Sequence, residues 1–104
     1  MSNNHFSNLR ADQQEALAIL AEECGEVVQS IGKILRHGLL SHHPDGGPSN
    51  LTALGKECAD VLAALDICES VGLLHTAHLR NGRLAKLERV RQYLHHVELP
   101  RRNP

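Results

Sequence analysis

The sequence has few aromatic residues and no long apolar run. Phe6 and Tyr93 are its only aromatic side chains among phenylalanine, tyrosine and tryptophan, so a pocket that binds a nucleobase has few rings for stacking. No apolar segment approaches the roughly 20 residues that a membrane-spanning helix needs. The N-terminus also lacks the basic-then-apolar pattern of a secretory signal. We therefore expect a protein without a membrane partner.

A large excess of charge is missing as well. The formal net charge is −1 and the sequence pI is about 6.7, which argues against general binding to a nucleic acid polymer. The charges are unevenly distributed, however. Ten of the twelve acids lie at or before Glu69, whereas seven of the eleven basic residues lie between Arg80 and Arg102. Such a chain can supply a metal ion and an anion with ligands in one site.

The three cysteines are too few and too scattered for a disulfide framework. Cys24, Cys58 and Cys68 lie within apolar helical patterns and show no CxxC spacing. We interpret them as reduced thiols in the protein core, which is typical of a soluble cytoplasmic protein.

Apolar residues recur at intervals of three and four, which is the period of an α-helix, and no strand pattern of useful length is present. Gly38 and Gly72 are expected to end the first two helices, and Asn81-Gly82 is a candidate break in the third. Asp12 is an alternative start for the first helix. The predicted helices span residues 9–36, 51–71 and 74–97.

Residues 39–50, between the first two helices, include two prolines and two glycines and therefore predict a surface loop. Helices joined by a loop usually pack as antiparallel neighbours. Ser49 or Asn50 is the expected cap of the second helix. We predict a single all-α domain over residues 1–104, an antiparallel bundle of three to four helices completed by homo-oligomerisation. Its tails, residues 1–8 and 98–104, are expected to be loose.

One stretch of the sequence occurs twice in similar form. LAEECGEVVQSI begins at Leu20, and LGKECADVLAAL begins at Leu54, 34 residues later. Both contain a leucine, a Glu-Cys pair three residues on, a further acid and a valine. Because a helix turns by ~100° per residue, the leucine, cysteine and valine form one apolar stripe on each helix.

The acids of the two stretches occupy one shoulder of this stripe. Glu23 and Glu26 share it on the first helix, whereas Glu22 points to solvent. Glu57 and Asp60 share it on the second helix. An acid beside an apolar stripe is most often solvated, but four half-buried carboxylates beside one seam repel each other unless a cation neutralises them. Oxygen ligands favour a hard cation, with Mg²⁺ the usual choice beside phosphates.

These motif residues resemble those of a known enzyme family. EECGE at 22–26, followed by ECAD at 57–60, resembles the EExxE…ExxD signature of the MazG-like all-α nucleoside triphosphate pyrophosphohydrolases. The match covers both central helices, over about residues 15–70. The 30 residues between the motifs make a slightly longer connection than is common in that family.

The resemblance implies a homodimer or homotetramer that uses Mg²⁺, with Mn²⁺ as a possible substitute. Its substrate would be a nucleoside triphosphate, hydrolysed to the monophosphate and pyrophosphate as part of nucleotide-pool clean-up. It also implies residue roles. Glu22 or Glu26 is the candidate for accepting a proton from water. By position in the motif, the metal ligands would be Glu23, Glu26, Glu57 and Asp60.

Cations are also needed to meet the outer phosphates. Lys33 lies seven residues beyond Glu26 on the same face of its helix, and a row of basic residues occurs on the third helix. Solvated charged faces are the plain alternative for both. The candidates for substrate binding are Lys33, Arg83, Lys86 and Arg89. The weaker candidates for contact with the base are His5, Phe6 and Asn8.

Other chemistries find less support in the sequence. The histidines have neither HExxH nor Glu-x-x-His spacing, so we interpret them as ordinary surface residues and not as metal ligands. A function of a different class stays open, namely a catalytically inactive helical protein that oligomerises or binds nucleotide. Release of pyrophosphate from nucleotides distinguishes the two.

Overall fold

The computed structural model of the chain describes residues 7–100, and over this range the protein is helical without a strand. The all-α prediction is therefore confirmed. No helix within these residues is long and apolar enough to cross a bilayer. The chain divides into two compact units, Met1–Leu73 and Leu74–Pro104. The three helices are α1 (Ala11–His37), α2 (Asn50–Ser70) and α3 (Thr76–Arg91).

Helix α1 begins and ends where its terminal backbone groups find partners. The Arg10 N–H donates to the side-chain oxygen of Gln13 at 3.1 Å, so the helix starts at Ala11, between the two predicted starts. At the other end the Gly38 N–H donates to the Ile34 carbonyl at 2.8 Å. Gly38 has a φ of 96°, which residues with a side chain rarely adopt. The predicted stop at Gly38 is confirmed.

Helix α2 has a side-chain cap at its start and a glycine turn at its end. The Ser49 hydroxyl accepts a backbone N–H of the first turn at 3.3 Å, which confirms one of the two predicted caps. After the helix, the Leu73 N–H donates to the Cys68 carbonyl at 3.0 Å, and the Gly72 N–H donates to the Glu69 carbonyl at 3.1 Å. This pair of bonds is a Schellman motif, which requires the positive φ of 82° at Gly72.

Helices α1 and α2 form an antiparallel hairpin that hydrogen bonds hold at both ends. At the loop end, the Asn50 side chain donates to the Gly38 carbonyl at 2.9 Å. At the open end, the side chains of Arg10 and Gln13 both donate to the Val71 carbonyl at 3.0 Å. We call these two sets of bonds the end tethers. They fix the register of the two helices, so the middle of α1 lies beside the middle of α2.

Small residues form the most buried part of this hairpin. Ala16 and Ala64 are buried, and the thiol of Cys68 is buried 3.6 Å from the Ala16 carbonyl. Ser30 is buried further along α1. Ala16, Glu23 and Ser30 follow one another at intervals of seven residues, which is close to two helical turns. Glu23 therefore lies on the same line of α1 as the residues packed against α2.

The predicted apolar stripes form only part of this seam, since Leu20 and Ile34 are partly buried. Leu17 and Ile31 are exposed although both belong to the stripe of α1. Cys24 and Cys58 are exposed too, so the prediction that they lie in the core was wrong, whereas Cys68 is buried as predicted.

Helix α3 belongs to the second unit and is shorter than predicted. Asn81 and Gly82 both lie inside it, so the candidate break is wrong, and the helix ends at Arg91 and not at Val97. The guanidinium of Arg91 donates to the Leu99 carbonyl, which requires the following segment to turn back. The apolar period continues past this point and therefore hid the end of the helix. The predicted apolar positions of α3 and the segment after it are partly buried, and they are Leu84, Leu87, Val90 and Leu94.

Candidate metal centre

Three carboxylates meet midway along the hairpin. One oxygen each of Glu23, Glu57 and Asp60 lies within 4.8 Å of the other two. Glu23 comes from α1, and the other two residues come from successive turns of α2. The antiparallel pairing thus brings the two copies of the repeated motif together. We call Glu23, Glu57 and Asp60 the acid cluster.

Glu57 is the less exposed of the two α2 acids in the cluster. Its side chain is 20% exposed, compared with 39% for Asp60. Its Oε1 atom is buried and accepts no hydrogen bond. A buried charged oxygen without a hydrogen bond is unfavourable, because it has lost its contacts with water and gained none in return. Such an atom has lone pairs free for a cation.

Glu26 borders the cluster and responds to its charge. Repulsion from Glu57 is the largest cause that raises the pKa of Glu26, followed by repulsion from Glu23. Partial desolvation and a hydrogen bond with Glu57 raise this pKa further, and Glu22 adds the smallest contribution. Glu22 itself is exposed, on the side that the helical wheel predicts. A carboxylate with a raised pKa is a stronger proton acceptor.

A lysine that the sequence reasoning missed also contacts the cluster. The Nζ of Lys56 donates to Asp60 Oδ2 at 2.9 Å and lies 3.5 Å from Glu57 Oε1. The hydrogen bond and the charge of Asp60, followed by the charge of Glu57, raise the pKa of Lys56. The signal was present in the repeat: the position that holds Glu22 in the first copy holds Lys56 in the second, 34 residues later.

An apolar groove lies on the same two helices. Four of its lining residues directly follow the four motif acids in the sequence, and they are Cys24, Val27, Cys58 and Val61. The middle of each predicted apolar stripe therefore lines this groove. The lining residues of the apolar groove are Cys24, Val27, Cys58, Val61 and Leu62.

The predicted phosphate-binding residues are divided between the two units. Lys33 is exposed on α1, in the unit that holds the acid cluster. The others are exposed on α3 at intervals of three residues, and they are Arg83, Lys86 and Arg89.

Some predictions fall on residues 1–6 and 101–104, which lie outside the described range. They include the larger part of both predicted tails and two of the candidates for base contact, His5 and Phe6. The third candidate, Asn8, is exposed and has a φ of 57°.

Within residues 7–100, no histidine joins a group of three or more residues placed to hold a metal ion. The Nδ1 of His43 accepts the backbone N–H of Asp45 at 3.1 Å within the loop. The rings of His75 and His78 lie 5.4 Å apart at the start of α3. These contacts are local.

Comparison with family models, with curated proteins and with solved structures found no match for this chain. The assignment to the MazG-like enzymes therefore stays a hypothesis. It rests on the motif acids and on the chemistry that their arrangement permits.

Proposed function

We propose that this protein is a Mg²⁺-dependent nucleoside triphosphate pyrophosphohydrolase of the MazG-like type. The reaction hydrolyses the α–β phosphoanhydride bond of a (d)NTP and yields (d)NMP and pyrophosphate. Its role would be nucleotide-pool clean-up. One observation carries the proposal. Oxygens of Glu23, Glu57 and Asp60 converge within 4.8 Å from two helices that repeat the same motif.

The acid cluster offers the ligands that a hard divalent ion requires. All three side chains present carboxylate oxygens, which suit Mg²⁺ and also Mn²⁺. The buried Oε1 of Glu57 accepts no hydrogen bond, although the Lys56 ammonium lies 3.5 Å away, so a divalent cation would give this atom the close contact that it lacks. Glu26 borders Glu57 and Glu23 and is the fourth candidate ligand.

The chain's own residues carry the remaining parts of the mechanism. When bound, Mg²⁺ supplies a Lewis acid that stabilises negative charge on the phosphates. Glu26, whose pKa the neighbouring Glu57 and Glu23 raise, accepts the proton of the attacking water. Glu22 is the alternative acceptor. Lys33, on the same helix as Glu23 and Glu26, is the candidate for binding the outer phosphates.

A second copy of the chain is part of the proposal. Val28, Leu35 and Leu62 are each more than half exposed on the paired helices. Exposed apolar side chains of this size along one pair of helices favour burial against another subunit. Closed assemblies of identical chains are the usual outcome, so we infer a homodimer or a homotetramer.

The activity is tested with purified protein and a panel of NTPs and dNTPs, in Mg²⁺ and in EDTA. We expect equal amounts of monophosphate and pyrophosphate from at least one nucleotide, and no release in EDTA. Release of inorganic phosphate in place of pyrophosphate would contradict the bond that we assign. If folded protein hydrolyses no nucleotide, the enzyme proposal fails and an inactive nucleotide-binding or oligomerising protein becomes the better interpretation.

The assembly is tested by light scattering. We expect a mass of at least twice 11.4 kDa at micromolar concentration. Leu62→Glu places a charge in the apolar groove and should lower this mass. Leu40→Glu, at an exposed leucine of the loop, is the matched control and should leave it unchanged. A monomeric parent protein would contradict the inferred oligomer.

A further inference from the structure

Lys56 brings a positive charge to two of the three carboxylates in the acid cluster. Its Nζ lies 2.9 Å from Asp60 Oδ2 and 3.5 Å from Glu57 Oε1. The Glu57 atom is the buried oxygen that accepts no hydrogen bond, so the ammonium neutralises this oxygen without satisfying it. Both carboxylates belong to the set that a divalent ion would use.

We propose that Lys56 is a built-in competitor of the divalent ion, whose ammonium occupies the acid cluster in the metal-free protein and leaves it when the metal binds. The inference rests on the proposed function, because it requires the cluster to bind a divalent ion. It goes further in assigning a role to a residue outside the motif acids. Lys56 sets how tightly the metal is held.

The position of Lys56 permits this exchange. Its side chain is 68% exposed, so water screens the ion pair and rotation of the flexible stem carries the ammonium into solvent. The lysine precedes Asp60 by four residues, which is the weaker of the two orders for an ion pair along a helix. The contact is therefore one that a divalent ion can break.

The repeat indicates that a cation at this position is particular to the second copy. Glu22 occupies the equivalent position of the first copy and is exposed. At this motif position α2 thus carries the Lys56 ammonium, which reaches the acids of its own helix, whereas α1 carries a carboxylate. A divalent ion and an ammonium that share the same carboxylates repel each other at these distances. Binding of the metal consequently includes the displacement of Lys56.

The test is Mn²⁺ binding to the full-length protein without nucleotide, measured by calorimetry. Lys56→Met removes the charge and keeps a long unbranched side chain, and it should tighten Mn²⁺ binding roughly threefold to tenfold. Lys56→Arg keeps the charge and should bind Mn²⁺ as the parent does, or more weakly. Arg36→Met removes a charge ten residues along α1 from Glu26, and this control should change the affinity by less than about twofold.

The outcomes separate this inference from the proposed function. If the parent protein binds Mn²⁺ and Lys56→Met binds it no more tightly, the competitor role is overturned while the metal centre stands. If neither the parent nor any variant binds Mn²⁺, the metal centre fails and the role of Lys56 fails with it.

A second measurement needs no variant. The parent protein is labelled with acetic anhydride, with and without saturating Mn²⁺, and the modified lysines are quantified by mass spectrometry. Release of the ammonium from Asp60 should raise the labelling of Lys56 at least about twofold, relative to Lys33 and Lys86 as internal references. Unchanged labelling of Lys56 at saturating Mn²⁺ would overturn the displacement.

Discussion

The two copies of the motif carry equivalent acids but opposite charges beside them. In α1 the motif begins with an additional acid, Glu22, whereas the matching position of α2 holds Lys56, which pairs with Asp60. The α2 acids are thus partly neutralised by their own helix. The α1 copy has no such cation in the repeat, and surrounding carboxylates raise the pKa of Glu26. Equivalent helical positions therefore differ in charge: the α2 acids have the Lys56 ammonium beside them, and the α1 acids have a further carboxylate.

Replacing the same glutamate in each copy tests whether both copies hold the metal. Glu23→Gln and Glu57→Gln should each reduce turnover by about 100-fold or more, because each change removes one ligand oxygen of the acid cluster. Neither change should lower the melting temperature of the metal-free protein by much, because a neutral amide relieves repulsion within the cluster. Steady-state pyrophosphate release and thermal melting measure the two effects.

Glu15→Gln is the matched control for both variants. Glu15 is an exposed acid on α1, two turns before Glu23 and outside the cluster, so its replacement should leave turnover unchanged. A Glu57→Gln protein as active as the parent would contradict the assignment of Glu57 as a ligand. Loss in only one of the two variants would show that one copy holds the metal alone.

Metal binding to the folded protein should appear as stabilisation. At a free Mg²⁺ concentration 100 times the dissociation constant, the folded state gains about 2.7 kcal/mol relative to the unfolded chain. The melting temperature should therefore rise with Mg²⁺ in the parent and in Glu15→Gln, but not in Glu23→Gln or Glu57→Gln. NaCl at equal ionic strength is the reference. An equal rise in all four proteins would indicate a general effect of salt.

The smallest expected effect is a difference in melting temperature, measured without metal, between variants of the second acid in each copy, Glu26 and Asp60. Glu26 experiences repulsion, so Glu26→Gln should raise the melting temperature near neutral pH. Asp60 accepts a charged hydrogen bond from Lys56 at 2.9 Å, so Asp60→Asn should raise the melting temperature less or lower it. Equal shifts from both variants would show that Lys56 does not distinguish the two copies.

The same repulsion predicts a pH dependence. The pKa of Glu26 is raised above its ordinary value of 4.5 in the folded protein. Below 4.5 the group is protonated in both folded and unfolded chains, and as pH rises through the raised pKa the folded protein loses stability. Melting curves in EDTA should show this loss in the parent, and Glu26→Gln should reduce it. A loss of the same size in Glu26→Gln would assign the effect to other groups.

Much of the hairpin was predictable because its signals are local. Gly38 and Gly72 end helices because their backbone conformations suit glycine, and Ser49 caps α2 with its own side chain. The proximity of Glu23 and Glu57 also follows from sequence, since antiparallel helices joined by a loop bring their matching turns together. These features depend on neighbours in the chain or on the helical period alone.

The remaining features depend on contacts that no local pattern contains. The apolar stripe suggested a seam of large side chains, but the most buried residues are the small Ala16, Ala64 and Cys68. The end of α3 depends on a contact between Arg91 and the distant Leu99 carbonyl. Lys56 reaches the acid cluster through a flexible stem, so its spacing resembles that of any solvated lysine.

The end tethers have a consequence for the middle of the hairpin. Arg10 and Gln13 hold the Val71 carbonyl at one end, and Asn50 holds Gly38 at the other, with the acid cluster between them. Mutual repulsion of the carboxylates cannot spread helices that are fastened on both sides of it. If the acid cluster binds an ion as proposed, the backbone that carries its ligands would already be in place, and less conformational entropy would be lost on binding.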